Sequence, residues 1–325
     1  MSIQNTKLSN DDIISAYEFM LFIRRFEEKA SELYGQGKIG GFCHLYIGQE
    51  AVACGIKYAK SANDKIITAY RDHGLILACD CDPKSVMAEL TGRIDGTSLG
   101  KGGSMHIFDI KNNFYGGHGI VGAQVSIGTG LGFAAKYKSD NSVSITLMGD
   151  GAANQGQVYE SFNMAKLWNL PVLYIIENNG YAMGTSVKRS SSTTSFFNRG
   201  ISFEIPGFAV DGMDFFTVYD AIRISLDKIR NGSGPQLIEI ITYRYRGHSM
   251  SDPAKYRTKD EVEHFKSKDP IQTLKKHILN NNIANEIIFK EIDKKIKQKI
   301  NDIEKFSLES PLPNENLLYE HIYSN

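Results

Sequence analysis

The chain has 325 residues, of which 42% are hydrophobic and 23% charged, a composition typical of folded globular proteins and unlike that of disordered or fibrous ones. Its 37 basic and 37 acidic residues cancel, so no overall charge attracts it to nucleic acid or to an anionic membrane surface. No apolar run approaches the roughly 20 residues of a membrane-spanning helix. Neither nucleic acid nor a membrane is therefore expected as a partner.

The first predicted element is a long amphipathic helix within residues 1–40. The polar run Ser-Asn-Asp-Asp at 9–12 can cap the helix start, and apolar residues recur at helical spacing from Ile13 to Leu33. Four short β-branched runs follow, separated by long stretches with helical periodicity. These predicted strands are residues 66–69, 143–148, 172–176 and 237–242. Continuous apolar strands that alternate with helices are typical of a parallel sheet, so we predict an α/β fold with helices on both faces of a parallel sheet.

The C-terminal part of the chain, residues 260–325, is charged and has helical periodicity. One stripe of isoleucines in it is expected to pack against the core rather than to form a binding face. These residues are Ile288, Ile292, Ile296, Ile300 and Ile303. The sequence contains no internal repeat and no linker that would separate domains. We therefore interpret residues 1–325 as a single α/β domain with a helical C-terminal extension.

Glycine is concentrated between Gly92 and Gly132, and the same stretch carries large apolar side chains. The glycines alone are compatible with a flexible linker. The apolar side chains instead favour ordered loops that approach a ligand or a partner.

Polar side chains follow two of the predicted strands at the points where these strands end. Gly-Asp-Gly at 149–151 comes after the strand 143–148, and Asn-Asn at 178–179 comes after the strand 172–176. In a parallel sheet both loops lie at the carboxyl edge, where such sheets bind ligands. The glycines allow close approach of the backbone, and the free amides at the start of the next helix favour a phosphate.

The side chains of these two loops are suited to a magnesium ion. Asp150 offers a carboxylate oxygen, Asn179 an amide oxygen, and a residue such as Tyr181 a backbone carbonyl. Magnesium prefers such hard oxygen ligands and completes its octahedral shell with phosphate oxygens and water. Gly-Asp-Gly alone is common in turns, and a phosphate-binding module without catalysis would also explain it. Such a module does not explain the second loop.

Six further sequence blocks extend this pattern over nearly the whole chain. They are Phe-Cys-His at 42–44, Gly-Gln-Glu at 48–50, residues 67–74, Gly-Gly-Ser-Met-His at 102–106, residues 119–125 and residues 243–253. Together with Gly-Asp-Gly and Asn-Asn, they resemble the alpha subunits of thiamine-diphosphate-dependent 2-oxo acid dehydrogenases. The sequence of residues 248–253 is most similar to that of the family members that act on pyruvate. Alpha subunits of branched-chain 2-oxo acid and acetoin dehydrogenases share the same two loops and stay open as alternatives.

The resemblance implies a thiamine-diphosphate-binding fold of the diphosphate-binding type and a set of functional residues. Thiamine diphosphate and Mg²⁺ are the implied cofactors, and the implied metal ligands are Asp150, Asn179 and the carbonyl of Tyr181. Besides these ligands, the implied cofactor contacts are Tyr70, Arg71, Gly119, Val121, Gly151, Ala152 and His248. The implied catalytic residues, which would line the route from the reacting carbon to the entrance, are His44, His73, Gln155, Arg244 and His248. Among them, His248 is expected to transfer a proton or to stabilise the acyl intermediate.

The implied activity is oxidative decarboxylation of pyruvate, with transfer of the acetyl group to lipoyl groups of an acyltransferase component. The aminopyrimidine of the cofactor needs a carboxylic acid, which a glutamate of a separate beta subunit would supply in a heterotetramer of two alpha and two beta subunits. Residues 100–122 are expected to form part of that contact through exposed apolar side chains, namely Met105, Phe108, Phe114 and Tyr115. The polar start without a transit peptide favours the bacterial cytoplasm, with the mitochondrial matrix as the location of a mature eukaryotic chain.

Overall fold

The computed structural model describes residues 8–323, so residues 1–7 of the predicted N-terminal segment and residues 324–325 of the predicted C-terminal extension lie outside it. The α-helices are α1 (Asn10–Gly35), α2 (Glu50–Ala59), α3 (His73–Ala78), α4 (Pro83–Leu90), α5 (Ala123–Lys138), α6 (Gly156–Leu167), α7 (Val187–Ser190), α8 (Phe215–Lys228), α9 (Lys259–Lys266), α10 (Pro270–Asn280) and α11 (Glu286–Glu309). The strands are β1 (Lys65–Ala69), β2 (Phe114–His118), β3 (Ser144–Gly149), β4 (Val172–Asn178), β5 (Tyr181–Ala182), β6 (Thr185–Ser186), β7 (Gly207–Asp211) and β8 (Gln236–Ile241). None of the described helices is long and apolar enough to span a membrane.

A six-stranded sheet forms the centre of the fold, with the strands in the order β2-β1-β3-β4-β8-β7. All of its strand pairs are parallel. The four predicted strands correspond to β1, β3, β4 and β8, and their bounds differ from the prediction by at most two residues. From β1 the chain first adds β2 on one side and then β3 on the other, so the strand order reverses between β1 and β3. In open α/β sheets such a switch point leaves a crevice at the carboxyl ends of the strands.

Both faces of the sheet are covered, because successive residues of each central strand point to opposite sides. In β4, Leu173 and Ile175 join a core with side chains of α1, α2, α8 and α11. Tyr174 and Ile176 join a second core with side chains of α5 and α6, including Phe162. The four named strand side chains and Phe162 are each at most 1% exposed. The predicted α/β fold, with a parallel sheet and helices on both faces, is therefore confirmed.

The long helices near the two ends of the chain follow their sequence patterns. At the start of α1, Ser9 Oγ accepts the Asp12 N–H at 3.2 Å and the Asp12 carboxylate accepts the Ser9 N–H at 2.9 Å, a reciprocal cap. Helix α11 packs beside α1 and α4. Its predicted stripe contributes buried side chains to the first core, namely Ile292, Ile296, Ile300 and Ile303. The expectation of a helical C-terminal extension with a core-packing stripe is confirmed.

Two edge strands, β2 and β7, are not predicted by the sequence patterns. An edge strand is paired on one side only and needs no continuous apolar run, so its signal is weak. Strand β2 lies in the glycine-rich stretch and pairs with β1 through a shifted register. Phe114 on this strand is fully buried, so the expectation that it is exposed is wrong. Met105, Phe108 and Tyr115 are half-buried, whereas Ile120 is 75% exposed.

One buried carboxylate holds part of the glycine-rich stretch. Glu89 on α4 is fully buried. Its Oε2 accepts the N–H groups of Ser98 at 2.7 Å and Gly100 at 2.9 Å, and its Oε1 accepts those of Gly102 at 2.7 Å and Gly103 at 3.0 Å. Hydrogen bonds to an ionised acceptor are stronger than those between neutral groups. The loop 98–103 is therefore ordered, as the sequence predicts for this stretch.

Candidate active site

A cleft of about 270 Å³ opens at the carboxyl ends of β1, β3 and β4, at the switch point of the sheet. The ends of these strands and the loops that follow them supply most of its lining, and the segment after β8, Gln49 before α2 and Val121 after β2 supply the rest. The predicted site residues that line the cleft are Tyr70, Arg71, Val121, Asp150, Gly151, Ala152, Asn179, Tyr181, Arg244 and His248. Residues from widely separated parts of the sequence thus meet in one place.

Asp150 follows β3 and is only 3% exposed. Burial raises the pKa of its carboxyl to about 6, against the lowering effects of nearby backbone N–H groups and of the Arg244 charge. The ionised form of such a carboxylate is poorly stabilised by its surroundings, so a nearby cation would stabilise it. Within residues 8–323, no group of three or more His, Cys, Asp or Glu side chains could hold a metal ion. A metal in the cleft would therefore also use amide and carbonyl oxygens.

The two other predicted metal ligands meet around the guanidinium of Arg244. Its Nη1 donates to Oδ1 of Asn179 at 3.5 Å and to the carbonyl oxygen of Tyr181 at 3.3 Å. The amide nitrogen of Asn179 donates to Oε1 of Gln49 at 2.9 Å, which leaves the amide oxygen for the cleft. These oxygens therefore already lie around a positive charge, as the ligands of a metal cation would.

Two buried guanidinium groups make the cleft positively charged. Arg71 donates to the carbonyls of Leu45 at 2.6 Å and His248 at 2.7 Å. Arg244 donates to Tyr256 Oη at 2.8 Å and to further neutral oxygens, so within residues 8–323 no carboxylate hydrogen-bonds to either group. Burial, and then the charge of Arg244, lowers the pKa of Arg71 to about 10, which leaves it protonated near pH 7. Guanidinium groups without a bound carboxylate favour an anion such as a diphosphate.

Two imidazoles stand beside the cleft against the ring of Tyr70. The ring centroids of His44 and His248 are 5.0 Å apart, and the His44 ring is 4.6 Å from the Tyr70 ring. Burial and the charge of Arg71 lower the pKa of His44 to about 2 and that of His248 to about 4. Both rings are therefore neutral near pH 7. Their buried Nδ1 atoms have no hydrogen-bond partner in the described part of the chain, so these nitrogens are available to a ligand.

The cleft also contains two polar residues that the sequence patterns do not single out. Glu177 accepts a hydrogen bond of 2.5 Å from the Tyr46 hydroxyl, and burial raises its pKa to about 7. Gln49 binds the amide of Asn179. Two features of the sequence could have identified them as site residues: Glu177 lies near the end of β4, and Gln49 lies within the Gly-Gln-Glu block.

His73 lies apart from the cleft lining, in contrast to its predicted place on the route to the entrance. The side chain is fully buried, with Nδ1 3.0 Å from Oε2 of Glu27 and Nε2 3.0 Å from Oγ of Ser104. Burial alone would lower the pKa of His73, but the charge and hydrogen bond of Glu27 raise it above its ordinary value. The catalytic role of His73 stays a prediction.

Gln155 and Gly119 also lie outside the lining of the cleft as it is described. Gln155 is exposed, and a Cβ on Gly119 would come within 3.0 Å of the His106 ring. Their proposed contacts stay predictions. Gly151 does line the cleft, and a Cβ there would lie 2.5 Å from that of Ala182. Glycine at this position therefore lets the two loops approach each other.

The fold and the cleft define a class of α/β proteins that bind their ligand at the carboxyl edge of a parallel sheet. Within that class, the chain belongs to the dehydrogenase E1 component family, whose model matches residues 18–315.

Its relatives include proteins called pyruvate dehydrogenase E1 component subunit alpha. The one from Rickettsia bellii is 56% identical over 313 residues, which are 96% of each chain. The one from Rhizobium meliloti is 57% identical over 317 residues, 97% of this chain and 91% of the relative. A mitochondrial one from Sminthopsis macroura is 48% identical over 319 residues, 98% and 87% of the two chains. The family resemblance stated from the sequence blocks is confirmed.

Proposed function

We propose that this chain is the alpha subunit of the first component of a pyruvate dehydrogenase complex. In the proposed reaction pyruvate loses carbon dioxide, and its acetyl unit passes to a lipoyl group of an acyltransferase component, which feeds acetyl-CoA synthesis. The observation that carries the proposal is the convergence of Asp150, Asn179 and the Tyr181 carbonyl beside two buried guanidinium groups in one cleft. The names of the relatives support pyruvate over branched-chain 2-oxo acids and acetoin.

The residues of the cleft fit a magnesium ion and thiamine diphosphate, the cofactor on which this family depends. Asp150, Asn179 and the Tyr181 carbonyl offer the hard oxygens that magnesium prefers, and the poorly stabilised carboxyl of Asp150 would gain from the ion. Arg71 and Arg244 offer charge-assisted hydrogen bonds to the diphosphate. When bound, thiamine diphosphate supplies an electron sink for breaking the carbon–carbon bond of a 2-oxo acid.

His248 and His44 are the proposed proton carriers of the cleft. With pKa values lowered to about 4 and about 2, both rings are neutral near pH 7, and His248, whose pKa is nearer to neutrality, is the better proton acceptor of the two. The backbone of His248 is fixed, because its N–H donates to Oδ2 of Asp252 at 2.6 Å and its carbonyl accepts from Arg71 at 2.7 Å. Beside the buried guanidinium groups, the imidazole of His248 therefore stays neutral near pH 7.

The proposal includes a beta subunit, in a heterotetramer of two alpha and two beta subunits. The aminopyrimidine of the cofactor needs a carboxylic acid, and the family resemblance assigns that acid to a glutamate of the beta subunit. Exposed apolar side chains at the cleft support a contact there, since Val121 is 40% and Ile120 75% exposed. The alpha chain by itself is therefore expected not to decarboxylate pyruvate. The proposed location is the cytoplasm for a bacterial chain and the mitochondrial matrix for a eukaryotic one.

Titration of thiamine diphosphate with and without Mg²⁺ tests the metal site. The chain would be co-purified with its beta subunit as wild type, Asp150→Ala and Asn179→Ala. Each substitution removes one of few hard oxygen ligands, so we expect magnesium-dependent binding to be lost while the thermal unfolding midpoint stays near that of the wild type. Cofactor affinity within about threefold of the wild type in both variants would contradict the assignment.

An assay of acyl-group transfer to a lipoyl acceptor tests the substrate, because this readout also registers acetoin, which has no carboxyl group to lose. The reconstituted alpha and beta subunits would be offered pyruvate, a branched-chain 2-oxo acid and acetoin at equal concentrations. We expect pyruvate to have the highest kcat/KM, and the isolated alpha chain to turn over none of the three. A preference for either other substrate would reassign the chain within its family.

A further inference from the structure

We infer that Gln49 is a positioning residue that orients the amide of Asn179, so that its oxygen rather than its nitrogen faces the metal cation. This inference rests on the proposed function, because it takes Asn179 as a metal ligand. An asparagine amide carries an acceptor oxygen and a donor NH₂ of nearly the same shape, and only the oxygen ligates a cation. The orientation of the amide therefore decides whether Asn179 attracts or repels the ion.

Gln49 holds the nitrogen end of the amide, and the oxygen end meets a donor. Oε1 of Gln49 accepts from Nδ2 of Asn179 at 2.9 Å, and the two residues are 1% and 9% exposed. Oδ1 of the same amide lies 3.5 Å from Nη1 of Arg244. Because a guanidinium has donors only, this contact requires an oxygen at that position. Arg244 therefore determines which atom of the amide is the oxygen, and Gln49 holds the nitrogen end in that orientation.

The backbone around Gln49 is itself fixed by its two sequence neighbours. Gly48 has a φ of +103°, and a Cβ there would lie 2.2 Å from the carbonyl oxygen of Tyr243. Glu50 accepts the Gly48 N–H at 3.0 Å and binds the guanidinium of Arg24 through both carboxylate oxygens, at 2.5 and 3.0 Å. These contacts fix the backbone from which the Gln49 side chain reaches Asn179. The ligand oxygen is therefore oriented before any ion binds, as residues behind metal ligands commonly ensure.

Magnesium-dependent binding of thiamine diphosphate tests this inference. Isothermal titration would be run on the full chain, co-purified with its beta subunit, at a series of Mg²⁺ concentrations. Gln49→Met removes the acceptor and keeps the length of the side chain, so we expect Mg²⁺ binding to weaken roughly 10- to 100-fold. Gln49→Glu keeps an acceptor oxygen at the same place, so we expect Mg²⁺ affinity within about threefold of the wild type.

Gln236→Met is the matched control. Gln236 is 2% exposed and donates to the carbonyl of Pro235 at 3.1 Å. It lies at the start of β8, on the edge of the sheet opposite the cleft. This variant measures the general effect of replacing a buried glutamine, so we expect a lower thermal midpoint with unchanged Mg²⁺ affinity.

Replacing the asparagine by aspartate gives a second readout. In the Asn179→Asp background both terminal atoms are oxygens, so the orientation of the group no longer matters. Adding Gln49→Met should then cause no further loss of Mg²⁺ affinity. A loss of equal size in both backgrounds would overturn the inference, and so would an unchanged Mg²⁺ affinity of Gln49→Met in the otherwise wild-type chain.

The outcomes also separate this inference from the proposed function. If the wild type and Gln236→Met bind no magnesium–thiamine diphosphate, the metal site itself is wrong, and the inference falls with it. If Asn179→Ala loses the Mg²⁺ dependence and Gln49→Met keeps it, only the inference is overturned. Should Gln49→Met fold poorly, Gln49→Glu decides: retained Mg²⁺ affinity supports the inference, and a loss with an unchanged thermal midpoint overturns it.

Discussion

Replacing Asp72 by asparagine should stabilise the folded chain, and the gain should grow with pH. Asp72 is fully buried beside His73, and neither of its carboxyl oxygens has a hydrogen-bond partner of normal geometry in the described part of the chain. The carboxyl packs so closely on Gly117 that a Cβ on this glycine would lie 1.8 Å from Oδ2. Burial raises the pKa of Asp72 to about 8, against the lowering effects of His73 and of nearby backbone N–H groups.

The magnitude of the effect follows from this pKa. In the unfolded chain an aspartate ionises near pH 3.8, whereas in the folded chain Asp72 keeps its proton up to about pH 8. Between these values the folded state binds the extra proton, so the stability that this group contributes falls as pH rises. Each pH unit costs ~1.4 kcal/mol, so the penalty that Asp72→Asn removes reaches ~5 kcal/mol at pH 8 and vanishes near pH 4. Any cost of burying the amide that replaces the carboxyl is independent of pH. It therefore changes the difference in free energy of unfolding between the two proteins by the same amount at every pH.

Urea unfolding followed by circular dichroism, at several pH values between about 5 and 8, measures this slope. The full chain would be compared with Asp72→Asn at one fixed concentration of its beta subunit, with reductant present. Glu27 keeps its pair with His73 in both proteins, so the difference reports Asp72 together with its effect on the pKa of His73. A difference in the free energy of unfolding that stays constant over this range would refute the reasoning, because Asp72 would then be ionised in the folded chain.

Asp64→Asn serves as the control with the opposite expected sign. Asp64 is also buried, at 1% exposed, but its carboxylate pairs with Arg230 and accepts the N–H groups of Ser61 at 2.7 Å and Val143 at 2.9 Å. Removing its charge weakens two backbone hydrogen bonds and leaves the half-buried guanidinium of Arg230 without its partner. We expect a loss of ~1–3 kcal/mol in the free energy of unfolding near neutral pH.

Four further predictions concern single side chains. His248→Ala should keep thiamine diphosphate affinity within about threefold but slow lipoyl acetylation roughly 10²- to 10⁴-fold, because its ring accepts a proton and does not hold the diphosphate; titration and acetylation are assayed separately. Arg71→Lys should weaken thiamine diphosphate binding about tenfold or more by isothermal titration, because an ammonium lacks the rigid fork that binds two carbonyls. Gly48→Ala should lower the free energy of unfolding in urea by ~3 kcal/mol or more, since the carbonyl of Tyr243 occupies the space of a methyl group. Glu89→Gln should speed protease cleavage within residues 98–103, because an amide oxygen cannot replace a carboxylate that accepts four N–H groups.

Each of these predictions has an outcome that contradicts it. Normal lipoyl acetylation by His248→Ala would make that ring a structural loop residue. An unchanged titration of Arg71→Lys would mean that the diphosphate does not depend on this side chain. Wild-type stability of Gly48→Ala would show that the backbone can shift at low cost. Equal protease resistance of Glu89→Gln would show that other contacts hold the loop.

The parts of the site that could be predicted are those that depend on local patterns. Asp150 and Asn179 each follow an apolar β-branched run, and a parallel sheet brings the ends of such runs to one edge whatever the rest of the chain does. The same logic identifies the central strands, which must be apolar because both of their faces are buried. The same pattern does not identify β2 and β7, because an edge strand does not need a continuous apolar run.

The parts that could not be predicted depend on partners far along the chain. A histidine in a loop has the same local signal whether it faces a cleft or is buried, and the fully buried His73 is bound to Glu27, 46 positions away. Gln49 and Asn179 are 130 positions apart, so their hydrogen bond leaves no trace in local periodicity. The pKa of Asp72 likewise depends on which groups the fold places around it.

Because Glu89 holds the loop 98–103, the entropic cost of ordering this loop is met during folding and not during association with another subunit. Fixing the backbone costs roughly 1–2 kcal/mol per residue, and glycine loses the most freedom of all residues. Here that cost falls during folding, because a side chain of α4 orders residues 98–103 without help from another chain. A subunit that docks on this loop meets a rigid surface and does not have to order it. If the beta subunit docks on this loop, loosening it should weaken subunit association even when every side chain in the contact is unchanged.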